Sequence, residues 1–196
     1  MSGIINEAAL DRLFRTSRSI HAFTAEPVSD ATLTALYDLL KWGPTAFNAQ
    51  PARYLFLHSD AAKARLKPFL APANADKTLA APVTAIVAYD LDFAERLPEL
   101  FPAYAAKALF EANPGLVEPT AVRSGTLQGA YLLLAARALG LDVGPMSGFD
   151  AAGVDREFFP DGKYRSNFLV NLGYGDYSQV HPRGPRLAFA DVAAIL

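Results

Sequence analysis

The sequence predicts one domain of mixed helix and strand, α+β or α/β around a single sheet. Helical and strand patterns interleave along the chain, so both kinds of element share one core. A β-branched run with almost no charge, PVTAIVAYD at 82–90, reads as an interior strand. The 196 residues show no internal repeat and no low-complexity linker, so 1–196 is one unit long enough for a sizeable core.

The elements follow in order. Residues 5–16 read as a helix with Leu10, Leu13 and Phe14 on one face. The short polar stretch SRSIHAF follows. Ser29 is a candidate N-cap for a second helix, in which Leu33, Leu36, Tyr37 and Leu40 recur at helical spacing. Gly43-Pro44 stops that helix. RYLFLH at 53–58 is a strand, and AAKARLKPFL a short helix interrupted by Pro68. Residues 91–115 carry Pro98, Pro102, Pro114 and Gly115 among helical fragments, an excursion of short helices. Residues 118–139 form the longest helical pattern. VGPMSGF at 143–149 is a short strand entering a turn, AAGVDREFF at 151–159 a helix, and NFLVNLGYG at 167–175 a strand. FADVAAIL closes the chain as an amphipathic helix or tail.

From Gly129 to Ala136 the long helix reads GAYLLLAA, apolar all the way round. A surface helix should show one polar face. This one is either wrapped by its own chain or sandwiched between subunits. A compact chain of this length has limited room for the first arrangement, which favours an intimate homodimer.

Composition narrows the function. With 18 basic and 20 acidic residues, the net charge is −2, unlike a dedicated nucleic-acid binder. The apolar runs fall short of a membrane span, and no signal-peptide pattern opens the chain, so a cytoplasmic location is expected. There is no Cys, which removes thiol nucleophiles, Fe–S ligation and Cys-based zinc sites. His21, His58 and His181 have no metal-ligand spacing. Neither a Gly-x-Ser-x-Gly elbow nor a Gly-x-x-x-x-Gly-Lys loop occurs. Enzymatic chemistry would therefore come from a bound organic cofactor.

Five constellations could hold one. Ser17, Arg18, Ser19 and His21 form a phosphate patch or a solvated loop. Thr45, Asn48 and Gln50, in KWGPTAFNAQP, could answer the donor and acceptor edges of a ring, or simply cap a turn. Asn74 and Lys77 could reach a cofactor edge or stand at a helix start. Gly144-Pro145-Met146-Ser147-Gly148 permits close backbone approach to a ring, or is a strand-to-helix turn. Arg183 and Arg186 could complete a phosphate site or lie on an exposed tail.

Taken in order, these segments resemble the FMN-dependent nitroreductase family from about Leu13 to Arg186. RALGLDVGPMSGFD (137–150) and NLGYGD (171–176) are the most specific pieces. KWGPTAFNAQPAR, KTLAAPVTAIVAYD and ERLPELFP are similar to the RutE/HadB branch, the malonic semialdehyde reductase type of bacterial pyrimidine degradation. The resemblance implies an α+β fold with a central, mostly antiparallel sheet flanked by helices. It also implies an intertwined homodimer with FMN at the interface. Arg18, Ser19 and His21 would hold the phosphate and ribityl end, joined by Arg183 and Arg186. Pro44, Thr45 and Asn48 would meet the flavin from the partner chain. Asn74 and Lys77 would address the pyrimidine edge, while Pro145, Met146, Ser147 and Gly148 line the ring face.

The implied reaction is ping-pong hydride transfer from NADH or NADPH through flavin N5, with no catalytic side chain. The implied acceptor is malonic semialdehyde, giving 3-hydroxypropionate. A broad nitro- or quinone reductase, or a flavin-binding module without meaningful turnover, is the alternative. Arg53 and Arg123 are candidates for a substrate carboxylate. Ser17 and His21 stand where many members carry Arg and a Lys or Arg, and Ser147 where the commoner enzymes have Glu. Ala52 replaces a Trp found in many members. Loss of the Glu charge suits an anionic substrate.

Overall fold

The computed structural model describes residues 3–196. It opens with α1 (Glu7–Leu10), whose last turn widens into a π-helical turn at Asp11–Arg15. The uniform helix expected over 5–16 is therefore corrected. The wider turn rotates Phe14 off the expected face, leaves it 53% exposed and puts it on a cavity wall. Helix α2 (Asp30–Leu40) is capped by Ser29, whose hydroxyl accepts the Thr32 N–H at 3.1 Å. Leu33, Leu36 and Leu40 form its buried stripe.

Strand β1 (Ala52–Leu57) is followed by α3 (Asp60–Leu66), α4 (Pro72–Ala80) and β2 (Val83–Asp90). Helix α4 begins two residues before the helix start that the sequence offered at Asn74 and Lys77. Pro72 at its start reads as a breaker, yet proline fits the first helical turn, where its missing N–H has no partner to lose. The excursion resolves into α5 (Leu97–Leu100) and α6 (Ala106–Ala112), flanked by short 3₁₀ turns. Then come α7 (Val117–Ala138), β3 (Asp142–Met146), α8 (Ala151–Phe158), β4 (Tyr164–Gly173) and α9 (Phe189–Val192). Strand β4 begins three residues before the expected 167, because Tyr164, Arg165 and Ser166 pair with Asp90, Tyr89 and Ala88.

The four strands lie in the order β1-β2-β4-β3, and every ladder is antiparallel. That settles α+β over α/β. Central β2 is buried along its whole length, as its nearly charge-free run implied. Its side chains alternate between faces. Val83, Ala85 and Val87 join Leu36, Leu40, Leu132 and Ala136 under α2 and α7. Ile86 and Ala88 join Leu66, Leu70 and Val154 under α3 and α8. A third cluster, Phe93, Leu97, Phe110 and Ala121, anchors the excursion.

Helix α7 buries Ala121, Ser124, Gly125, Gln128, Gly129, Leu132, Ala135 and Ala136 against the sheet and α2. Its other face stays open within one chain: Leu127 is 45% and Tyr131 38% exposed. Among the described residues no helix is long and apolar enough to cross a membrane.

Candidate functional site

The site is built around edge strand β3. Proline at 145 is compatible with this strand because an edge residue can lack an N–H. The segment after the π-helical turn runs along β3. Ser19 forms a parallel bridge with Val143, and the Ile20 N–H donates to the Val143 carbonyl at 2.9 Å. Only glycine fits at 144, since a Cβ there would lie 2.4 Å from the Ile20 carbonyl oxygen. This contact fixes Ser19 and Ile20 alongside β3, and with them the flanking Arg18 and His21.

Helix α4 closes one side of the turn that follows β3. The Asn74 side-chain amide donates to the Gly148 carbonyl at 2.8 Å, and the Ala71 N–H to the same oxygen at 3.0 Å. A Cβ at Gly148 would meet the Asn74 amide nitrogen at 2.6 Å. Asn74 is buried, Met146 half-buried, and Pro145, Ser147 and Gly148 are exposed.

The C-terminal segment forms the third wall. Strand β4 passes into it through Gly175, whose N–H donates to buried Asp142 at 3.0 Å. The Tyr177 hydroxyl donates to Asp142 at 2.8 Å, and Arg12 pairs with the same carboxylate at 3.3 Å. Arg183 then donates to the carbonyls of Arg15 (2.8 Å) and Ser17 (2.7 Å), and Arg18 to the His181 carbonyl. The result is a cavity of about 470 Å³ lined by Arg18, Ser19, His21, Arg137, Arg183 and Arg186, among others. Four guanidiniums around one hollow are the kind of donor set that can hold an anion.

His21 meets His181 edge to face, with ring centroids 6.3 Å apart. Its pKa is held below the ordinary value, first by desolvation, then by Lys77 and His181. Lys77 is near enough to act on His21, though it does not line the hollow. Arg137 is likewise held below its usual value, first by burial, while Asp142 opposes the shift.

The structure therefore gathers Arg18, Ser19, His21, Arg183 and Arg186 in one cavity, while Asn74, Lys77 and Pro145–Gly148 lie on α4 and the end of β3 with its turn, outside the cavity lining. Sequence reasoning missed Arg137 and His181 as cavity residues. Arg137 looks like an ordinary basic residue in a last helical turn, whereas His181 stands two residues before Arg183 in the same rigid stretch.

Pro44, Thr45 and Asn48 are elsewhere. The Ala46 N–H donates to the Ser124 hydroxyl at 3.3 Å, fixing their loop to α7 thirteen residues before Arg137. At the helical rise that is about 20 Å along the axis. Among the described residues, the non-glycine positions with positive φ are Phe47, Asn48 and Gln50, all in this loop. Each left-handed residue costs about 1–2 kcal/mol. Phe47 compensates by packing among Phe101, Tyr104 and Phe110, with centroids 5.8–6.0 Å away. The Asn48 amide donates to the Leu100 carbonyl at 3.0 Å, and Thr45 accepts the Gln50 N–H at 3.1 Å. Turn capping is thus present, but in a strained frame of the kind held at binding sites.

Arg53 is engaged inside the chain. It pairs with Asp90 at 2.5 Å, donates to the Gln50 and Ala52 carbonyls, and lies over the Tyr164 ring. Arg123 is exposed on α7.

Residues 15–174 match the sequence model of the Nitroreductase family. A Rhodopseudomonas palustris protein named "Putative NADH dehydrogenase/NAD(P)H nitroreductase" is 55% identical over 196 residues, all of both chains. A Bacillus subtilis structure, described as a putative nitroreductase, superposes with a TM-score of 0.87 at 22% identity, covering 97% of this chain and 100% of that one. An Exiguobacterium sibiricum structure, described as a putative nitroreductase in complex with FMN, gives a TM-score of 0.82 at 20% identity over all of both chains. The chain belongs to the nitroreductase family.

Proposed function

We propose that this protein is a homodimeric, cytoplasmic FMN-dependent NAD(P)H oxidoreductase. The observation that carries the reading is the basic cavity lined by Arg18, His21, Arg183 and Arg186, whose N-terminal wall is bridged to β3 at Ser19 and Val143. Its chemistry fits FMN. Arg18, Arg183, Arg186 and His21 offer charge-assisted donors for a phosphate, each such bond being worth about 1.5–3 kcal/mol. The close approach enforced at Gly144 and Gly148 leaves a backbone wall for a flat ring, with Asn74 and Lys77 at its edge. Bound FMN would supply hydride chemistry between NADH or NADPH and an acceptor. The protein's part is to bind, orient and exclude water. The FMN complex of the Exiguobacterium protein and the name of the Rhodopseudomonas relative support cofactor and co-substrate.

The dimer follows from what one chain leaves open. Leu127 and Tyr131 on α7, with Leu39 and Trp42 at the end of α2, are exposed apolar side chains. So are Leu187, Phe189, Val192, Ile195 and Leu196 on the tail, while edge strand β1 lacks an outer neighbour. A second copy that covers these surfaces makes the homodimer intertwined. It also brings the strained Thr45–Asn48 loop to the partner's flavin, which explains its distance from the cavity of its own chain.

For the acceptor we propose malonic semialdehyde, reduced to 3-hydroxypropionate. Ser147 brings no negative charge to the ring face, and exposed Arg123 is available for a carboxylate, whereas Arg53 is committed to Asp90. The second reading, a broader nitro- or quinone reductase, is favoured by the name of the full-length relative. Steady-state kinetics with semialdehyde, nitrofurazone and a quinone decide between them. The semialdehyde reading requires the highest kcat/KM for the semialdehyde and a selective loss of it in Arg123→Ala. Equal or better turnover of the nitroarene removes it.

A further inference from the structure

Three polar side chains meet in full burial between the sheet and α4, Thr84 and Asn171 from the sheet and Thr78 from the helix. Thr78, Thr84 and Asn171 are each 0% exposed. Thr84 and Asn171 are cross-strand partners on β2 and β4, on the same face as Ile86 and Leu169. The Thr84 hydroxyl donates to the Asn171 side-chain oxygen at 2.8 Å. That bond orients the amide, which turns its NH₂ toward α4. There it donates to the Lys77 carbonyl at 3.3 Å and the Thr78 hydroxyl at 3.4 Å. The Thr78 hydroxyl in turn donates to the Met146 sulfur at 3.4 Å. The Lys77 carbonyl also accepts the Ala81 N–H that ends α4, at 3.2 Å.

A chain of polar contacts therefore runs from the middle of the sheet to Lys77 and Met146, two residues of the proposed FMN site. Stability alone does not call for it. Well-packed apolar residues serve a sheet interior at least as well, and a buried polar network is tolerable only when each member is satisfied. Here both ends of the amide are used, and the side chain has one orientation that satisfies them.

We propose that Asn171, oriented by Thr84, is a positioning residue that fixes Lys77, and through Thr78 Met146, against bound FMN. The inference rests on the FMN reading above. A two-electron-reduced flavin carries more negative charge than the oxidised ring. A cation held at a fixed place beside it favours the reduced form. The network acts through Lys77 rather than by touching the cofactor.

The test is the midpoint potential of bound FMN across a double-mutant cycle of Thr84→Val and Lys77→Ala. Thr84→Val should lower the potential by about 30 mV, a tenfold loss in preference for reduced over oxidised FMN. Lys77→Ala should lower it at least as much, and adding Thr84→Val to Lys77→Ala should change nothing further. Thr84→Ser, which keeps the hydroxyl, should restore the native potential. If Thr84→Val does not fold, Thr78→Val takes its place in the cycle. Additive shifts, or an unchanged potential in Thr84→Val while Lys77→Ala shifts, would overturn the inference and leave the FMN reading intact. Wild-type protein that binds no FMN would remove both.

Discussion

The Ile20 N–H donates to the Val143 carbonyl at 2.9 Å, and the Ile20 carbonyl lies where a side chain at Gly144 would begin. One backbone contact thus joins the basic N-terminal segment to β3. Gly144→Ala would push a Cβ to 2.4 Å from that oxygen, a distance backbone atoms cannot absorb without moving apart. The variant should keep its sheet but lose FMN affinity at least tenfold, read by flavin fluorescence titration beside far-UV circular dichroism.

Arg183 holds two main-chain oxygens, those of Arg15 and Ser17, while lining the cavity. Removing it takes away a phosphate donor and loosens the wall bearing Arg18. Arg183→Ala should weaken FMN binding about 10–100-fold, from about 1.5–3 kcal/mol per charge-assisted bond. Arg183→Lys should recover little, because one ammonium cannot reproduce the planar fork. Isothermal titration calorimetry reads both.

His21 sets the pH response. In the free protein its pKa lies below the ordinary value, first because of desolvation, then because of Lys77 and His181. It is therefore neutral at pH 7. An entering phosphate favours the charged ring, so binding takes up a proton. FMN affinity should rise as pH falls from 8 to 6.5, with proton uptake visible in calorimetry across buffers of different ionisation enthalpy. His21→Gln should abolish the uptake. The sign reverses for stability of the free protein: a depressed histidine costs nothing above its ordinary value near 6.5 and destabilises as pH falls below it.

The assembly can be read through the single Trp of the chain. Trp42 is 77% exposed in one chain and adjoins the open face of α7, where Tyr131 lies within 2.9 Å of the Cβ position of Gly43. In the dimer its emission should be blue-shifted and should move red on dilution below the dimer dissociation constant. Leu127→Glu should give a monomer by analytical ultracentrifugation, with red-shifted Trp42 emission and little bound flavin. A monomeric variant that retained full flavin would contradict the shared site.

Much of the fold was legible in the sequence, for reasons visible in particular residues. The run at 82–90, charged only at Asp90, announced the central strand, Ser29 capped α2 as expected, and the excursion kept its short helices. Other features needed the structure. The π-helical turn at 11–15 has no signature in side-chain periodicity. Pro72 concealed the start of α4 by serving as its first residue. In the candidate site, chain order along the sequence pointed to Arg18 and Arg183, which the structure brings to one cavity, and to Asn74, which it places against Gly148. Arg137 was hidden because its role comes from the folding of the tail over the end of α7. The strain at Phe47, Asn48 and Gln50 was equally invisible, since positive φ at non-glycine residues is imposed by tertiary contacts.

Anaerobic stopped-flow spectroscopy tests the central claim most directly. The purified protein is mixed with NADH or NADPH, and then with malonic semialdehyde. The account predicts bound flavin at one per chain, bleaching of its visible band by the nicotinamide, and recovery of the band when the semialdehyde arrives. A colourless protein, or a bound flavin that neither nicotinamide bleaches, would contradict it.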